Sequence, residues 1–353
     1  MERILVTGGA GFVGAQTALE LARRHPAAEV VAFDNLSRRG SELNLPRLRE
    51  AGVSFVHGDV RDLADLLALD PITHLVECSA EPSVMAGVTS SPDYLVKTNL
   101  LGAYHCLELA RRDNAHVVFL STSRVYPVAA LEGLALVEGS ERFDLAPDQP
   151  LAGASEHGIA EDFPLAGART LYGTTKLSAE HLVEEYRHAY GLTAAVLRFG
   201  VIAGPWQMGK VDQGVFTFWV LGHLLERPLR YIGYGGSGKQ VRDLLHVDDA
   251  VELIDRVLGD AARFDGLVAN AGGGVEGSLS LLQTTALCEE ISGRSGLVTP
   301  SDEERPGDVP YYATDARLAS EVVGWKPTLG PRQILESIFD WAAANESAVR
   351  SAL

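Results

Sequence analysis

In the stretch "RTLYGTTKLS", Tyr172 and Lys176 stand four residues apart. Residues at that spacing share one face of a helix, so a phenol and an ammonium can lie side by side. A tyrosine titrates near ~10 in isolation. A fixed positive charge beside it favours the phenolate and brings its proton within reach of chemistry at neutral pH. The same spacing also arises by chance on amphipathic helices, so the pair becomes an acid/base device only if other segments supply something to act on.

"LVTGGAGFVG" supplies it. Gly9, Gly11 and Gly14 match G-x-G-x-x-G, and Gly8, Gly11 and Gly14 match the related G-x-x-G-x-x-G. Such glycines allow a tight turn and let backbone N–H groups at a helix start approach a pyrophosphate. The motif follows a strand pattern and precedes a helix pattern, and Asp34 ends the next strand at about the ~20-residue distance expected of a dinucleotide site. Asp34 would accept hydrogen bonds from ribose hydroxyls and repel a 2′-phosphate, which favours NAD over NADP. Arg38 and Arg39 are either a phosphate grip or a solvated loop. Asp59 in "HGDV" either reaches the adenine amine or caps a turn. A second glycine loop, "GYGGSGK", imitates a triphosphate-binding loop, but Gln240 stands where the magnesium-binding Ser or Thr belongs.

Those residues need a scaffold. "RILVTGG", "EVVAFDN", "VSFVHGD", "ITHLVECSA", "AHVVFLSTS" and "TAAVLRFG" read as buried strands, separated by helical patterns such as "GAQTALELARRH". This alternation predicts an α/β fold with a doubly wound parallel sheet. Residues 1–200 read as the dinucleotide-binding domain. About 127–171 form a long insertion that is either a surface loop or a lid. Residues 201–353 are mainly a smaller C-terminal substrate-binding lobe, with 233–274 returning in part to the sheet.

With 353 residues and a 46% hydrophobic share, the chain can build a full core, and its net charge of −17 argues against a nucleic-acid-binding face. Three scattered cysteines suggest neither a disulfide framework nor a metal site and fit a reducing cytoplasm. Neither a secretory leader nor a membrane-spanning apolar run is visible.

The end of the fifth strand, "LSTSRVYP", adds hydroxyl groups. With the glycine loop, "FDN", "HGD", "YGTTK", "VIAGP" and "VRDLLHVDD", the chain resembles, over nearly its whole length, the extended short-chain dehydrogenase/reductases that epimerise or dehydrate nucleotide sugars. The resemblance implies a Rossmann fold and NAD as cofactor. It makes Tyr172 the acid/base, Lys176 the ligand of the nicotinamide ribose and Thr122 the hydrogen-bond partner of the sugar hydroxyl. It gives the cofactor the glycine turn with Phe12 and Val13, then Asp34, Asn35, Ser37 and Arg38. Asp59 and Val60 follow, with Cys78, Ser79 and Ala80 at the fourth strand end, and Asn99 in "KTNLLG", which would also suit a plain helix cap. The nucleotide sugar would meet Ser83, Ser123, Arg124, Gly200 and Gln213, with Arg242 and Arg305 on its diphosphate.

Dehydratases of this family carry Asp-Glu after the Thr, and decarboxylating relatives a Glu where Arg124 stands; this chain has Ser123 and Arg124. "FDNLSRRG", Arg124, "DQG" at Asp212–Gly214 and "GKQVRDLLHVDD" look most like the CDP-paratose (CDP-tyvelose) 2-epimerase subfamily, whereas "VECSAEPSV" departs from the usual "HLAAQ" strand end. The resemblance therefore implies an NAD-dependent isomerase that inverts C2 of a CDP-deoxyhexose through a transient ketone. A UDP- or dTDP-hexose 4-epimerase and a non-catalytic dinucleotide sensor are the alternatives. No metal is expected, and family members commonly form homodimers through the Tyr172 helix.

Overall fold

A computed structural model describes residues 2–88, 90–209 and 214–352. The chain divides into two compact units: residues 1–122, 171–198 and 251–269 in the first, and 123–170, 199–250 and 270–353 in the second.

The first five strands are β1 (Arg3–Thr7), β2 (Glu29–Asp34), β3 (Ser54–His57), β4 (His74–Glu77) and β5 (His116–Thr122). They belong to a seven-stranded sheet ordered Val268–Ala271, Ala194–Phe199, β5, β4, β1, β2, β3. β3, β2, β1, β4 and β5 pair in parallel. All seven residues of β5 are buried, because a parallel sheet is covered by helices on both faces and its strands carry no solvent-facing alternation. Helix α1 (Phe12–Arg24) buries Gly14, Ala15, Thr17, Ala18 and Leu21, the 3–4 spacing of one helical face, and ends in Arg23 and Arg24, which suit the negative end of its dipole. The sheet's core includes Leu5, Val31, Leu75, Val117, Phe119 and Val196, with Ala179 and Val183 of the long helix Leu171–Tyr190 packed into it.

The second unit has its own core around Phe216, Trp219, Leu244, Ile334 and Ile338. Its strand Val241–His246 pairs in parallel with Val201–Ala203 and Tyr311–Tyr312 and antiparallel with Ser278–Ser280. Residues 123–170 lie in this unit and carry two short antiparallel ladders, Leu136–Glu138 with Phe143–Leu145 and Ala154–Ser155 with Gly158–Ile159. Lys239 Nζ donates to Glu138, Arg142 Nη2 to Ser278 Oγ, and the Ile159 N–H to the Ala313 carbonyl. The segment is therefore anchored at three separate points of its own unit. Among the described residues no helix is long and apolar enough to cross a membrane.

Candidate active site

The glycine turn is shaped by its lack of side chains. Gly8 has a positive φ of 62°, and a Cβ on Gly14 would stand 2.1 Å from the Gly8 carbonyl oxygen. α1 begins just after the turn with Gly11 as its cap, without a side-chain cap and without an acidic residue in its first turn. The first-turn residues Phe12 and Val13 are half-buried. An uncapped helix start of thirteen residues presents backbone N–H groups to an anion, so the turn fits a dinucleotide pyrophosphate. Asp34 holds this turn as well as ending β2: its Oδ2 accepts the Ala10 N–H at 3.1 Å and its Oδ1 the Leu36 N–H at 2.8 Å. Burial pushes the Asp34 carboxyl up, opposed by those N–H donors. Asn44, which the local motif did not single out, secures the turn by donating to the Ala10 carbonyl.

The rim beyond β2 and β3 is a linked set. Asn35 donates to Asp59 Oδ2 at 3.0 Å and caps the Ser37 N–H with its own side-chain oxygen. Ser37 shares a hydrogen bond with the Tyr94 hydroxyl, and Arg38 is half-buried on the following bend. The Arg61 guanidinium binds Asp59 and holds its carboxyl down at about 2. Asp59 therefore anchors this rim through Arg61 and Asn35. Val60 is core, packed against Gly102.

At the end of β4, the Cys78 carbonyl lies beneath Gly8, so the Cys78–Ala80 stretch runs along the glycine turn. Ser79 and Ser83 are buried, and the Ser83 N–H is held by Glu81 Oε1. Asn99 is no helix cap. It lies inside a continuous helical stretch, in a five-residue π-helical turn, Lys97–Leu101, that joins Asp93–Val96 to Gly102–Asp113. Its Oδ1 accepts the Glu81 N–H at 2.7 Å, and its Nδ2 donates to the Glu81 carbonyl and to Thr175 Oγ1. It thereby ties the β4 end to the helix bearing Tyr172.

That helix, Leu171–Tyr190, directs Tyr172, Lys176 and Glu180 along one line at i, i+4 and i+8. Tyr172 is half-buried, whereas Lys176 is 2% exposed. Lys176 Nζ donates to Glu77 Oε2 at 3.3 Å and lies 4.5 Å from the centroid of the Phe119 ring. Glu180 receives Arg198 through Nε and Nη2 and also the Ser121 hydroxyl. Ser121 is thus a strut, and the next residue, Thr122, closes β5 at 7% exposed. Glu77, Glu180 and Arg198 have no local spacing signal; their partners lie 99 and 18 residues away in the chain.

In the second unit, Ser123 is buried and its carbonyl accepts the Tyr126 N–H. Arg124 Nη1 donates to the Gly307 carbonyl at 3.1 Å. Arg242, 9% exposed, binds the Asp308 carboxylate and the Val309 carbonyl through Nη2. The loop carrying Arg305, which is half-buried, is therefore gripped by two arginines just after that residue. Gly200 has a spatial reason: a Cβ there would lie 2.9 Å from Asp243 Oδ1 and 3.0 Å from Thr314 Oγ1. Asp212 and Gln213 of the "DQG" motif, with Lys210 and Val211 before them, lie outside the described residues.

The model of the NAD dependent epimerase/dehydratase family matches residues 4–272. CDP-paratose 2-epimerase of Salmonella typhi is 28% identical, covering 97% of this chain and 99% of its own. dTDP-glucose 4,6-dehydratase of Salmonella typhimurium is 27% identical, covering 99% and 95%. The structure of Thermus thermophilus UDP-glucose 4-epimerase in complex with NAD superposes with a TM-score of 0.77 at 26% identity, covering 99% of this chain and all of the other.

Proposed function

This chain belongs to the NAD-dependent epimerase/dehydratase family, and on that premise we propose that it epimerises a nucleotide-activated sugar, inverting C2 of a CDP-deoxyhexose through a transient ketone. NAD, the cofactor of that family, supplies when bound an acceptor for the sugar's hydride and a donor for its return. The observation that carries the reading is the Tyr172 helix. It holds a half-buried phenol one turn from a buried ammonium, on an element tied by Asn99 to the strand end beside the glycine turn.

Tyr172 takes the proton from the sugar hydroxyl as the carbon is oxidised, and returns it when the carbon is reduced from its other face. Thr122 donates a hydrogen bond to the same oxygen and keeps the hydroxyl aimed at Tyr172. Lys176 holds the cofactor ribose. Arg305, with Arg242, takes the diphosphate; an anion entering there competes with Asp308 for the Arg242 guanidinium. Since each proton and hydride removed is returned, the cycle needs no external oxidant.

Ser123 and Arg124 support epimerisation over elimination, because no carboxylic acid follows Thr122 and the Arg124 side chain is committed to the Gly307 carbonyl. The likeness to UDP-glucose 4-epimerase supports a second reading, inversion at C4 with the same three residues. Tyr94, Leu101 and Tyr104, together with Leu171 and Tyr190 of the Tyr172 helix, are exposed apolar or aromatic side chains. These support a homodimer built on the two helical segments.

The test is proton NMR of the purified protein with CDP-, UDP-, GDP- and dTDP-hexoses, CDP-paratose among them, without added NAD. Inversion at C2 of a CDP sugar is the expected result. Inversion at C4 transfers the assignment to the second reading, and 4,6-elimination refutes both.

A further inference from the structure

Glu77, the carboxylate of the buried ion pair beneath the Tyr172 helix, has no part in the reaction described above. Glu77 ends β4 at the middle of the sheet, opposite Thr7 on β1 and Phe119 on β5. Its side chain and that of Lys176 are each 3% exposed. The ammonium is thus held between a carboxylate on one strand and an aromatic face on the next. Burial pushes the Glu77 carboxyl up, while the Lys176 charge and the Ser79 N–H oppose the rise. The strand end where this carboxylate sits is the one that departs from "HLAAQ".

The charges around the pair can be counted element by element. β1 and β5 present Thr7, Phe119, Ser121 and Thr122, none of them ionised. Cys78, just after β4, and Cys106 on the helix Gly102–Asp113 are thiols pushed well up by burial, hence neutral. Glu180 of the Tyr172 helix and Arg198 of the strand Ala194–Phe199 neutralise each other. Of the groups named here, the Lys176–Glu77 pair is the one aligned with Tyr172 on its helix face. A lone ammonium would favour the phenolate strongly; one facing a carboxylate at 3.3 Å does so less. A general base works best when its proton affinity matches the operating pH, and an over-stabilised phenolate would be too weak to take an alcohol proton.

We propose that Glu77 is a positioning residue that fixes the Lys176 ammonium and offsets its charge, so that the Tyr172 phenolate forms at a higher pH than Lys176 alone would set. The inference rests on the reading of Tyr172 as the acid/base.

The experiment follows phenolate absorbance against pH in the NAD-loaded wild type and in Glu77→Gln. The same proteins carrying Tyr172→Phe are subtracted to isolate one tyrosine among ten. The midpoint in Glu77→Gln is expected to fall by about one pH unit, and the acidic limb of kcat/KM to move with it. A midpoint that stays in place or rises in folded Glu77→Gln overturns the inference. Should that variant fail to fold, Glu77→Asp decides: its shorter arm draws the carboxylate away from Nζ, so a smaller fall is expected and no fall overturns the inference. Failure of the acid/base reading is separately visible as Tyr172→Phe turning over like wild type.

Discussion

The chain holds the cations of its two units in two different ways. Around the Tyr172 helix, Lys176 and Arg198 are each paired with a carboxylate that is 7% exposed or less, on an element fixed in the sheet or packed on it. In the second unit, Arg124 and Arg242 are held by carbonyl oxygens and by Asp308, all on the loop after Arg305. A buried carboxylate cannot leave its cation without stranding a charge in low dielectric. A loop carbonyl, or the Asp308 carboxylate at 15% exposed, can exchange with another acceptor at a lower cost. On the proposed mechanism, the difference separates a cation that must stay in one place throughout a reaction from cations that must let an anionic ligand in and out.

The sharpest test of the comparison is to remove Tyr172, the group that Lys176 is proposed to serve. Tyr172→Phe should lower kcat by about 10²–10⁴-fold, the usual worth of a general acid/base, while the melting temperature and NAD retention stay near wild type. Glu180→Ala should come next, since it leaves the Arg198 guanidinium, 5% exposed, without its carboxylate. Urea denaturation should show a loss of about 3–5 kcal/mol, and a loss as small as that of a surface pair would erase the distinction. Arg305→Ala acts on the exchangeable side. It should raise the nucleotide-sugar KM about tenfold, the worth of a charge-assisted bond of about 1.5 kcal/mol, without moving the urea midpoint.

The smallest effect belongs to Asp59. Arg61 holds its carboxyl down at about 2, below the ~4 of an unfolded aspartate. Its contribution is therefore full above pH ~4 and is lost as pH falls toward about 2. The pair is partly exposed, so the contribution stays below about 1 kcal/mol. The melting-temperature gap between wild type and Asp59→Asn should close across that range.

Much of this was legible in the sequence because it is local. The glycine turn, its strand and helix, Asp34 at the next strand end and the Tyr172–Lys176 spacing all lie within short windows, where the alternation of apolar runs also gives the sheet. Glu77 and Glu180 were not legible, because a carboxylate in a strand or on a helix face carries no mark of the cation that folding brings to it. Asn99 showed the reverse problem. Its residue type suited a helix cap, and only its bonds to Glu81 and Thr175 distinguish a brace from a cap. "GYGGSGK" is followed by the strand Val241–His246, so it has no helix start with which to hold a triphosphate.

The π-helical turn at Lys97–Leu101 has one further consequence, for how this gene can change length. A π-turn holds one residue more than the α-helical turn it replaces, and each residue of a helix advances the face by about 100°. Deleting one codon here would restore a regular helix and swing His105, Cys106 and Leu109 away from the interior they now fill. Loops elsewhere can gain or lose residues under selection. Between Asp93 and Asp113 the residue count is itself a constraint, and Asn99 is the position against which it is kept.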